Sequence, residues 1–416
     1  MLHTEQSLEK SPRLFYGYVI VGVAFCTQGV FWGSYQTFGV FFNSLLEEFS
    51  WSRATISSAA SLGWLLLGLM SIITGAVSDR FGPRLALSCC GVLFSLGYFL
   101  MSSLTEIWQL FLFYGLIVAL GMSGVDVVPL STVARWFAKK RGMMTGIAKI
   151  GTGVGMMVIP LAASKLISIY GWRTAYLIIA TITFLLIVSL AQLLRRDPDE
   201  MGQSVDGQVI IRNQKSITVE DGFTLKEAIK TKQFILLCAA YLCIVFCVHT
   251  IMVHIVPHGI AVGVSGTEAA SIFSAIGGVS IVARFVMGVV GDRIGNRKAL
   301  AICFLPLIVA LIWLQMAREL WMLLLFAAVY GFSHGGFFAV IPPLIAELFG
   351  TKAHGGLFGI VFSSGAVSGA IGPLIAGRVF DLTDSYRMAF LILISIGILG
   401  LLLTLGIRPT SIEKNR

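Results

Sequence analysis

Charged residues are scarce in this sequence. Asp, Glu, Lys and Arg together make up 12% of its 416 residues, whereas hydrophobic residues make up 56% and the mean hydropathy is +0.88. A soluble domain carries roughly a quarter charged residues, so this composition excludes a soluble protein and predicts a chain that lies in a lipid bilayer. We assign the formal net charge of +9 to Lys and Arg in the loops between spans. We therefore expect no nucleic-acid partner.

Several chemical motifs are also missing. The seven cysteines form no Cys-x-x-Cys pair and most lie in apolar runs, so neither a disulfide framework nor a zinc site is indicated. There is no His-Glu-x-x-His, no Gly-x-Ser-x-Gly and no Walker-type phosphate loop. We predict that the chain is not an enzyme or an ATP-driven pump, and that it needs no metal and no cofactor. The N-terminal region has no small-residue cleavage site, so we expect no removable signal peptide.

Long apolar segments recur along the chain. A transmembrane helix needs about 20 mostly apolar residues, because the hydrocarbon core of a bilayer is about 30 Å thick. Twelve segments meet this requirement, and one long polar stretch at about 195–232 separates the first six from the last six. The end of that stretch, 223–232, is predicted to form a short surface helix. The predicted spans are 15–43, 54–78, 85–103, 107–134, 141–168, 173–194, 233–262, 268–290, 298–317, 320–349, 355–379 and 386–407.

The distribution of Lys and Arg predicts the orientation. With the N-terminus inside, 22 of the 30 Lys and Arg residues fall in inside loops and helix ends, and six fall outside. This asymmetry predicts that both termini are cytoplasmic. The two remaining cations, Lys149 and Arg284, fall within spans.

The two sets of six spans contain a repeated motif. A Gly-x-x-x-Asp-Arg-x-Gly-x-Arg segment follows the second span and recurs after the eighth, 213 residues later. Glycine permits a tight turn, and an acid next to helix ends can cap or pair there. We interpret these residues as conformational latches rather than substrate ligands. They are Gly75, Asp79, Arg80, Gly82 and Arg84 in the first copy, and Gly288, Asp292, Arg293, Gly295 and Arg297 in the second.

This repeated segment resembles the signature cytoplasmic loop of the major facilitator superfamily. The resemblance extends over the whole chain, because the span count, the linker position and both loops agree. It implies an all-α membrane protein with twelve transmembrane helices in two pseudo-symmetric six-helix bundles, 1–194 and 233–416, joined by a cytoplasmic linker, 195–232. It also implies a substrate site between the bundles, whose access alternates as one bundle rocks against the other.

Three ionisable residues are predicted to lie near the middle of the bilayer. Arg284 precedes Asp292 by eight residues, which is about 12 Å along a helix. Lys149 follows the start of the fifth span by a similar length, and Asp126 precedes the end of the fourth span by a similar length. Because an ionisable group at this depth is costly, it is by default a functional candidate.

Arginine binds a carboxylate bidentately and stays charged. We therefore favour Arg284 as the residue that binds an anionic substrate, with a structural arginine satisfied by carbonyls as the alternative. Two interpretations stay open for Lys149. It either binds substrate or carries a proton, or it forms a buried pair with Asp126 on the neighbouring antiparallel span. Such a pair could itself relay protons, so Asp126 and Lys149 are both proton-coupling candidates.

The segment 280–288 around Arg284 resembles the eighth helix of the monocarboxylate porter and oxalate–formate antiporter branch of this superfamily. The arginine shared by that branch matches Arg284, and the resemblance implies that it holds the substrate carboxylate. The chain departs from the branch at three positions. Gln36 stands where many monocarboxylate porters have a lysine, and Ser280 stands where they have an acid. Phe362 stands at the lysine of the oxalate–formate antiporter, while Lys149 occupies the position 213 residues earlier.

Other polar residues in the spans are further candidates. Tyr35 and Gln36 in the first span could orient a substrate, and Tyr330 in the tenth could line the pore. His249 and His254 in the seventh span could carry a proton, because histidine titrates near physiological pH. His258 is interpreted as a cavity or helix-end residue, and His334 in the tenth span as a packing residue.

The sequence therefore predicts a secondary active transporter of small carboxylates, such as lactate-like or pyruvate-like monocarboxylates. Proton symport is favoured, because a proton carried with a monoanion makes transport electroneutral. The alternatives are an organic anion exchanger of the oxalate–formate type and a membrane sensor with a transporter fold. The expected partners are a small organic anion, protons and the lipid bilayer. We expect a monomer that spans the cell membrane.

Overall fold

A computed structural model describes residues 15–207 and 222–408. These residues form long helices connected by short loops, and eleven of the helices are long and apolar enough to cross a membrane. One of the eleven, Arg141–Leu193, contains non-helical backbone at Gly171 and thus supplies two spans, 141–170 and 172–193. In chain order the twelve spanning helices are α1 Gly17–Phe49, α2 Arg53–Phe81, α3 Pro83–Met101, α4 Ile107–Trp136, α5 141–170, α6 172–193, α7 Lys232–Ala261, α8 Gly266–Ile294, α9 Asn296–Leu314, α10 Leu320–Phe349, α11 His354–Thr383 and α12 Arg387–Gly406.

The internal repeat is visible in the helix boundaries. Helices α2 and α8 begin and end 213 residues apart, as do α3 and α9. Gly82 and Gly295 make the equivalent turns at φ values of 91° and 90°, which favour glycine. The break at Gly171 (φ 77°) corresponds in the same register to Asp384 (φ 50°), which ends α11. The described part of the chain therefore contains two sets of six helices with matching register.

Local irregularities interrupt several of the predicted spans. In α1 the helical pattern is interrupted at Thr37, whose hydroxyl donates a 2.6 Å hydrogen bond to the carbonyl of Ser34. In α4 the segment Phe111–Val118 is a π-helix. The predicted surface helix at 223–232 is shorter than expected, with a single turn at Leu225–Ala228 that begins with a capping box of Thr224 and Glu227.

One face of the bundle carries the two repeated turns and both described ends of the linker, and we call it the linker face. Here the linker contacts each half of the molecule. The carboxylate of Asp206 accepts hydrogen bonds from the backbone N–H groups of Ala138 and Lys139, in the connection before α5. On the other side of the linker, Gly222 forms a β-bridge with Gly350, in the connection before α11.

The repeated acids join the two halves at the linker face. The carboxylate of Asp79 accepts hydrogen bonds from the backbone N–H groups of Gly355 (3.1 Å) and Gly356 (2.8 Å), at the start of α11. At the equivalent place, Asp292 accepts bonds from Gly142 (2.6 Å) and Met143 (2.8 Å), at the start of α5. Each acid thus caps a helix N-terminus of the other half, where the helix dipole favours negative charge.

Most of each repeated segment is helical, which corrects the description of the segments as loops. Gly75, Asp79 and Arg80 lie in the last turns of α2, and Gly288, Asp292 and Arg293 lie in the last turns of α8. The chain turns only at Gly82 and Gly295, and Arg84 and Arg297 lie in the first turns of the following helices.

The spacing between the halves differs along the helices. A Cβ atom at Gly288 of α8 would overlap the carbonyl oxygen of Gly142 of α5, and a Cβ atom at Gly75 of α2 would overlap that of Gly355 of α11. Farther from the linker face, a Cβ atom at Gly277 or Gly278 of α8 would meet nothing within 4 Å. The halves are therefore in backbone contact at the linker face, and α8 has free space towards the opposite face.

Candidate functional site

Lys149 and Asp126 form an ion pair in the interior of the bundle. The Lys149 Nζ atom lies 2.5 Å from the Asp126 Oδ1 atom, and the two residues are 3% and 2% exposed. Lys149 lies in α5 and Asp126 lies in α4, where the π-helical segment is followed by a turn before Val127. The structure thus contains the predicted pair between antiparallel neighbouring spans. A buried charge next to an opposite charge at this distance is strongly favoured over an unpaired one.

Two polar residues, Gln28 and Thr152, extend this ion pair into a hydrogen-bond network. The side-chain oxygen of Gln28 in α1 accepts hydrogen bonds from Lys149 Nζ (3.3 Å) and from the hydroxyl of Thr152 (2.8 Å). The amide nitrogen of Gln28 donates a 2.7 Å bond to the carbonyl of Val125. Gln28 therefore ties α1 to α4 and α5 and holds the ammonium group of Lys149 in place from a second direction.

Arg284 of α8 contacts the same region from the other half. Its Nη1 atom donates a 2.8 Å hydrogen bond to the backbone carbonyl of Lys149, and its Nε atom is buried without a partner. Arg284 is 4% exposed, and no carboxylate in residues 15–207 or 222–408 forms an ion pair with it. A buried guanidinium that lacks a counter-ion is costly. The positive charge of Arg284 is thus available to an anion.

A phenylalanine ring separates the two cations. Lys149 Nζ lies 5.1 Å from the centroid of the Phe338 ring, and Arg284 Cζ lies 5.7 Å from the same centroid, so both have cation–π geometry. Asp126 and Lys149 line one side of a small cavity between the halves, and Phe338 and Phe362 line the other. Lys149 and Phe362, which are equivalent in the repeat, therefore face the same space, which we call the central cavity.

Small residues allow Arg284 to reach α5. A Cβ atom at Gly146 would overlap the backbone carbonyl oxygen of Arg284, and one at Gly153 would lie 3.4 Å from Arg284 Nη1. The other glycines of this stretch of α5, Gly151 and Gly155, pack against the backbone of α1 instead. The glycine spacing of α5 thus serves close packing on two faces.

The aromatic and amide candidates of the first and tenth spans lie at different places. Tyr35 is buried and stacks on Tyr114, with 5.6 Å between the ring centroids. Tyr330 is buried, and its hydroxyl donates a 2.8 Å hydrogen bond to the carbonyl of Val248, so this group is already satisfied within the second half. Gln36 is exposed and lies one turn after Trp32, whose ring contacts that of Trp64 in α2. In the part of the chain that the structure describes, Gln36 forms no hydrogen bond with Lys149 or Arg284.

The histidine candidates His249 and His254 also lie at different places in the structure. The ring of His249 lies 4.6 Å from that of Trp64 in α2, between the two halves. The ring nitrogens of His254 lie 2.9 Å from the carbonyl oxygen of Pro373 and 3.2 Å from the hydroxyl of Tyr386. His254 therefore joins helices of the second half and is not brought to the Asp126–Lys149 pair.

The basic residues of the repeated segments lie outside this site. Arg80, Arg84 and Arg293 are exposed, and Arg297 donates a hydrogen bond to the carbonyl of Ile407. Asp79 has an additional partner in Arg135, at 2.6 Å, which lies near the end of α4. None of these described residues contacts Lys149 or Arg284, and their interpretation as conformational latches stays a prediction.

Three residues beside the central cavity were not singled out as ligands from the sequence. They are Gln28, Phe338 and His334, whose ring meets the Phe338 ring edge-on at 5.4 Å. The Nδ1 atom of His334 is buried without a partner. Uncharged polar residues and aromatic residues are common in apolar spans, so only their position relative to Lys149 and Arg284 marks them.

A twelve-span bundle with an internal repeat and a charged site between its halves defines a polytopic membrane transporter of the secondary type. Residues 24–284 and 255–416 match the family model of the Major Facilitator Superfamily. The chain belongs to this superfamily. It is similar to monocarboxylate transporter 12 of Xenopus laevis, with 28% identity over 94% of this chain and 89% of that protein. It is also similar to human monocarboxylate transporter 12, with 25% identity over 91% and 77%, and to monocarboxylate transporter 13 of Bos taurus, with 27% identity over 91% and 86%.

Solved structures share the fold. The crystal structure of the human organic anion transporter MFSD10 (TETRAN) superposes with a TM-score of 0.73 at 16% identity, over 93% of this chain and 99% of that one. A double-tryptophan mutant of XylE superposes with a TM-score of 0.78 at 15% identity, over 96% and 98%. The prediction of an all-α membrane protein built from two related six-helix bundles is confirmed.

Proposed function

We propose that this protein is a proton-coupled transporter of small monocarboxylates. The observation that carries the proposal is the buried guanidinium of Arg284, which has an unpartnered Nε atom and no carboxylate partner in the described parts of the chain. A substrate carboxylate would supply both the missing acceptor and the missing negative charge. The similarity to monocarboxylate transporters 12 and 13 supports the same substrate class.

The site charges favour cotransport of a proton. Asp126, Lys149 and Arg284 together carry a net charge of +1 when all three are ionised. A monocarboxylate alone would change this sum to zero, whereas a monocarboxylate together with a proton on Asp126 leaves it at +1. Protonation of Asp126 also removes the counter-ion of Lys149, whose Nζ atom lies 5.1 Å from the Phe338 ring at the central cavity. The freed ammonium and Arg284 could then hold one carboxylate between them.

The contacts at the linker face indicate how the two halves would move during transport. We infer that the linker face is cytoplasmic, since most Lys and Arg residues lie at that face. Both termini and the linker 195–232 would then be cytoplasmic in the cell membrane, with bundles at 1–194 and 233–416. Caps from Asp79 and Asp292 hold this face closed, so substrate would enter from outside. Release would require both caps to open.

The test is uptake of labelled lactate and pyruvate into proteoliposomes of the purified chain. An inward proton gradient, acidic outside, is imposed with no anion inside. The proposal predicts accumulation that collapses when a protonophore removes the gradient. Uptake that occurs only when an anion is preloaded inside would indicate the exchange function instead. An absence of both activities across a panel of monocarboxylates would contradict carboxylate transport and favour a sensor with this fold.

A further inference from the structure

A second pocket lies near the face opposite the linker, within the second half of the molecule. It is enclosed by the last turn of α7, the end of α9, the connection between α11 and α12, and the start of α12. We call it the outer pocket. Its lining includes the side chains of His258, Gln315, Arg318, Tyr386, Arg387 and Phe390.

Two polar atoms of these lining residues are buried without partners. His258 is 7% exposed, and its Nε2 atom has no hydrogen-bond partner. Gln315 uses its amide nitrogen to bind the carbonyl of Arg387 at 3.1 Å, but its Oε1 atom is buried without a partner. Buried polar atoms are almost always hydrogen-bonded. The outer pocket therefore offers one imidazole nitrogen and one amide oxygen to a ligand.

Charge and shape indicate what this ligand would be. Arg318 and Arg387 line the pocket, are exposed, and form no ion pair with any carboxylate of the described residues. One acid, Asp384, also lines it, so the arginines leave a net positive charge. Tyr386 and Phe390 are stacked at 5.7 Å, and the edge of the His258 ring meets Phe390 at 4.9 Å. Cations at the mouth and rings inside favour an anion with an apolar body.

We propose that the outer pocket binds a small carboxylate that carries a hydrogen-bond donor on the carbon next to it. The carboxylate would contact Arg318 and Arg387, with the Nε2–H group of His258 as a further donor. The neighbouring hydroxyl or ammonium group would donate to Gln315 Oε1, and the apolar body would lie beside the edges of Tyr386 and Phe390. This site is separate from the central cavity, because no described residue lines both pockets and Arg284 does not line the outer pocket.

Binding is tested on the full chain in phosphatidylcholine nanodiscs by isothermal titration calorimetry with phenyllactate. The variant Arg284→Gln serves as the background, so that the central cavity does not contribute. We expect this variant to bind phenyllactate, and the added pair Arg318→Gln and Arg387→Gln to weaken the binding about tenfold or more. Arg378→Gln, an exposed arginine of α11 that does not line the pocket, is the matched control and should bind as the background does.

The donor group is tested with phenylpropanoate, which lacks the hydroxyl of phenyllactate. The proposal predicts weaker binding of phenylpropanoate, and predicts that Gln315→Leu, which removes Oε1, abolishes this difference. Equal binding in the background and in the Arg318/Arg387 variant would overturn the site, as would loss of all binding in Arg284→Gln alone. A lipid phosphate could satisfy the same arginines. Competition by phosphatidylglycerol that disappears with the two arginines would identify a lipid headgroup as occupant and overturn the free carboxylate.

Discussion

The guanidinium of Arg284 donates a 2.8 Å hydrogen bond to the backbone carbonyl of Lys149, across the interface between the two halves of the molecule. The proposed anion ligand is thus bonded to the same residue that forms the buried pair with Asp126. A carboxylate that binds the unpartnered Nε atom of Arg284 would lie next to this contact between the halves. We propose that this hydrogen bond links substrate binding to movement of the halves.

The first prediction concerns the proton. Asp126→Asn keeps the size of the side chain but cannot take up or release a proton. We expect uptake driven by a proton gradient to be lost, whereas exchange of labelled for unlabelled substrate at equal pH is retained. In the wild type, uptake should rise as the outside pH falls, because the inward proton gradient that drives it increases. Gradient-driven uptake that survives in Asp126→Asn would exclude this residue as the proton carrier.

The second prediction concerns the stability of the buried pair. Lys149→Gln leaves Asp126 as an unpaired acid in the interior, and the loss of one partner of a buried pair costs about 3–5 kcal/mol. The double variant Asp126→Asn/Lys149→Gln leaves no unpaired charge, so it should be more stable than Lys149→Gln alone. Thermal unfolding of the detergent-solubilised variants measures this order. Additive effects of the two substitutions would show that the side chains do not interact.

A third prediction tests the contact between α5 and α8. Gly288→Val would place side-chain atoms against the carbonyl of Gly142, so the linker face could not close. Spin labels at Lys139 and Lys352, exposed residues of the two halves at this face, should show a longer distance by pulsed electron resonance in a cysteine-free background. Gly277→Val on the same helix meets open space and should leave the distance unchanged. A matching change in both variants would assign the effect to helix propensity rather than contact.

A fourth prediction compares the two equivalent caps. Asp79 caps α11 and also pairs with Arg135 at 2.6 Å, whereas Asp292 caps α5 and forms no ion pair within the described residues. Arg135 and Asp79 belong to the same half, so their ion pair does not cross the interface, and each acid contributes two hydrogen bonds across it. Asp79→Asn and Asp292→Asn should therefore open the linker face to a similar extent. The distribution of distances between the same two labels reports the open fraction. A clearly larger effect of one substitution would show that the two caps do not contribute equally to closure.

Much of the architecture follows from the sequence, because span length and the repeated segment depend on local composition. The boundaries of α2 and α8 extend beyond the predicted ones, since Asp79 and Asp292 remain helical where charge suggested a loop. The interruption at Thr37 and the π-helix in α4 are not visible as hydrophobic periodicity, because every residue there is compatible with an ordinary span.

The sequence predicts the residues of the candidate site only where they are charged. Asp126, Lys149 and Arg284 stand out because an ionisable group in the bilayer is rare, and antiparallel neighbours suggested the pair. Gln28 and Phe338 are uncharged, so the sequence does not distinguish them from other residues of the spans. Their positions in the site follow from how α1 and α10 pack. Gln36 has the same residue type as Gln28 and lies eight positions later, but it is exposed and takes no part in the hydrogen bonds around Lys149.

The binding of a substrate carboxylate by Arg284 is tested most directly by comparing two ligands on two proteins. Lactate and lactamide differ only in the carboxylate, and Arg284→Gln differs from the wild type only in the guanidinium. Binding is measured on purified protein at pH 6. We predict that the wild type prefers lactate about thirtyfold or more, the value of a buried charge pair of about 2 kcal/mol, and that Arg284→Gln abolishes this preference. If Arg284→Gln kept the preference for lactate, Arg284 would not be the residue that binds the substrate carboxylate.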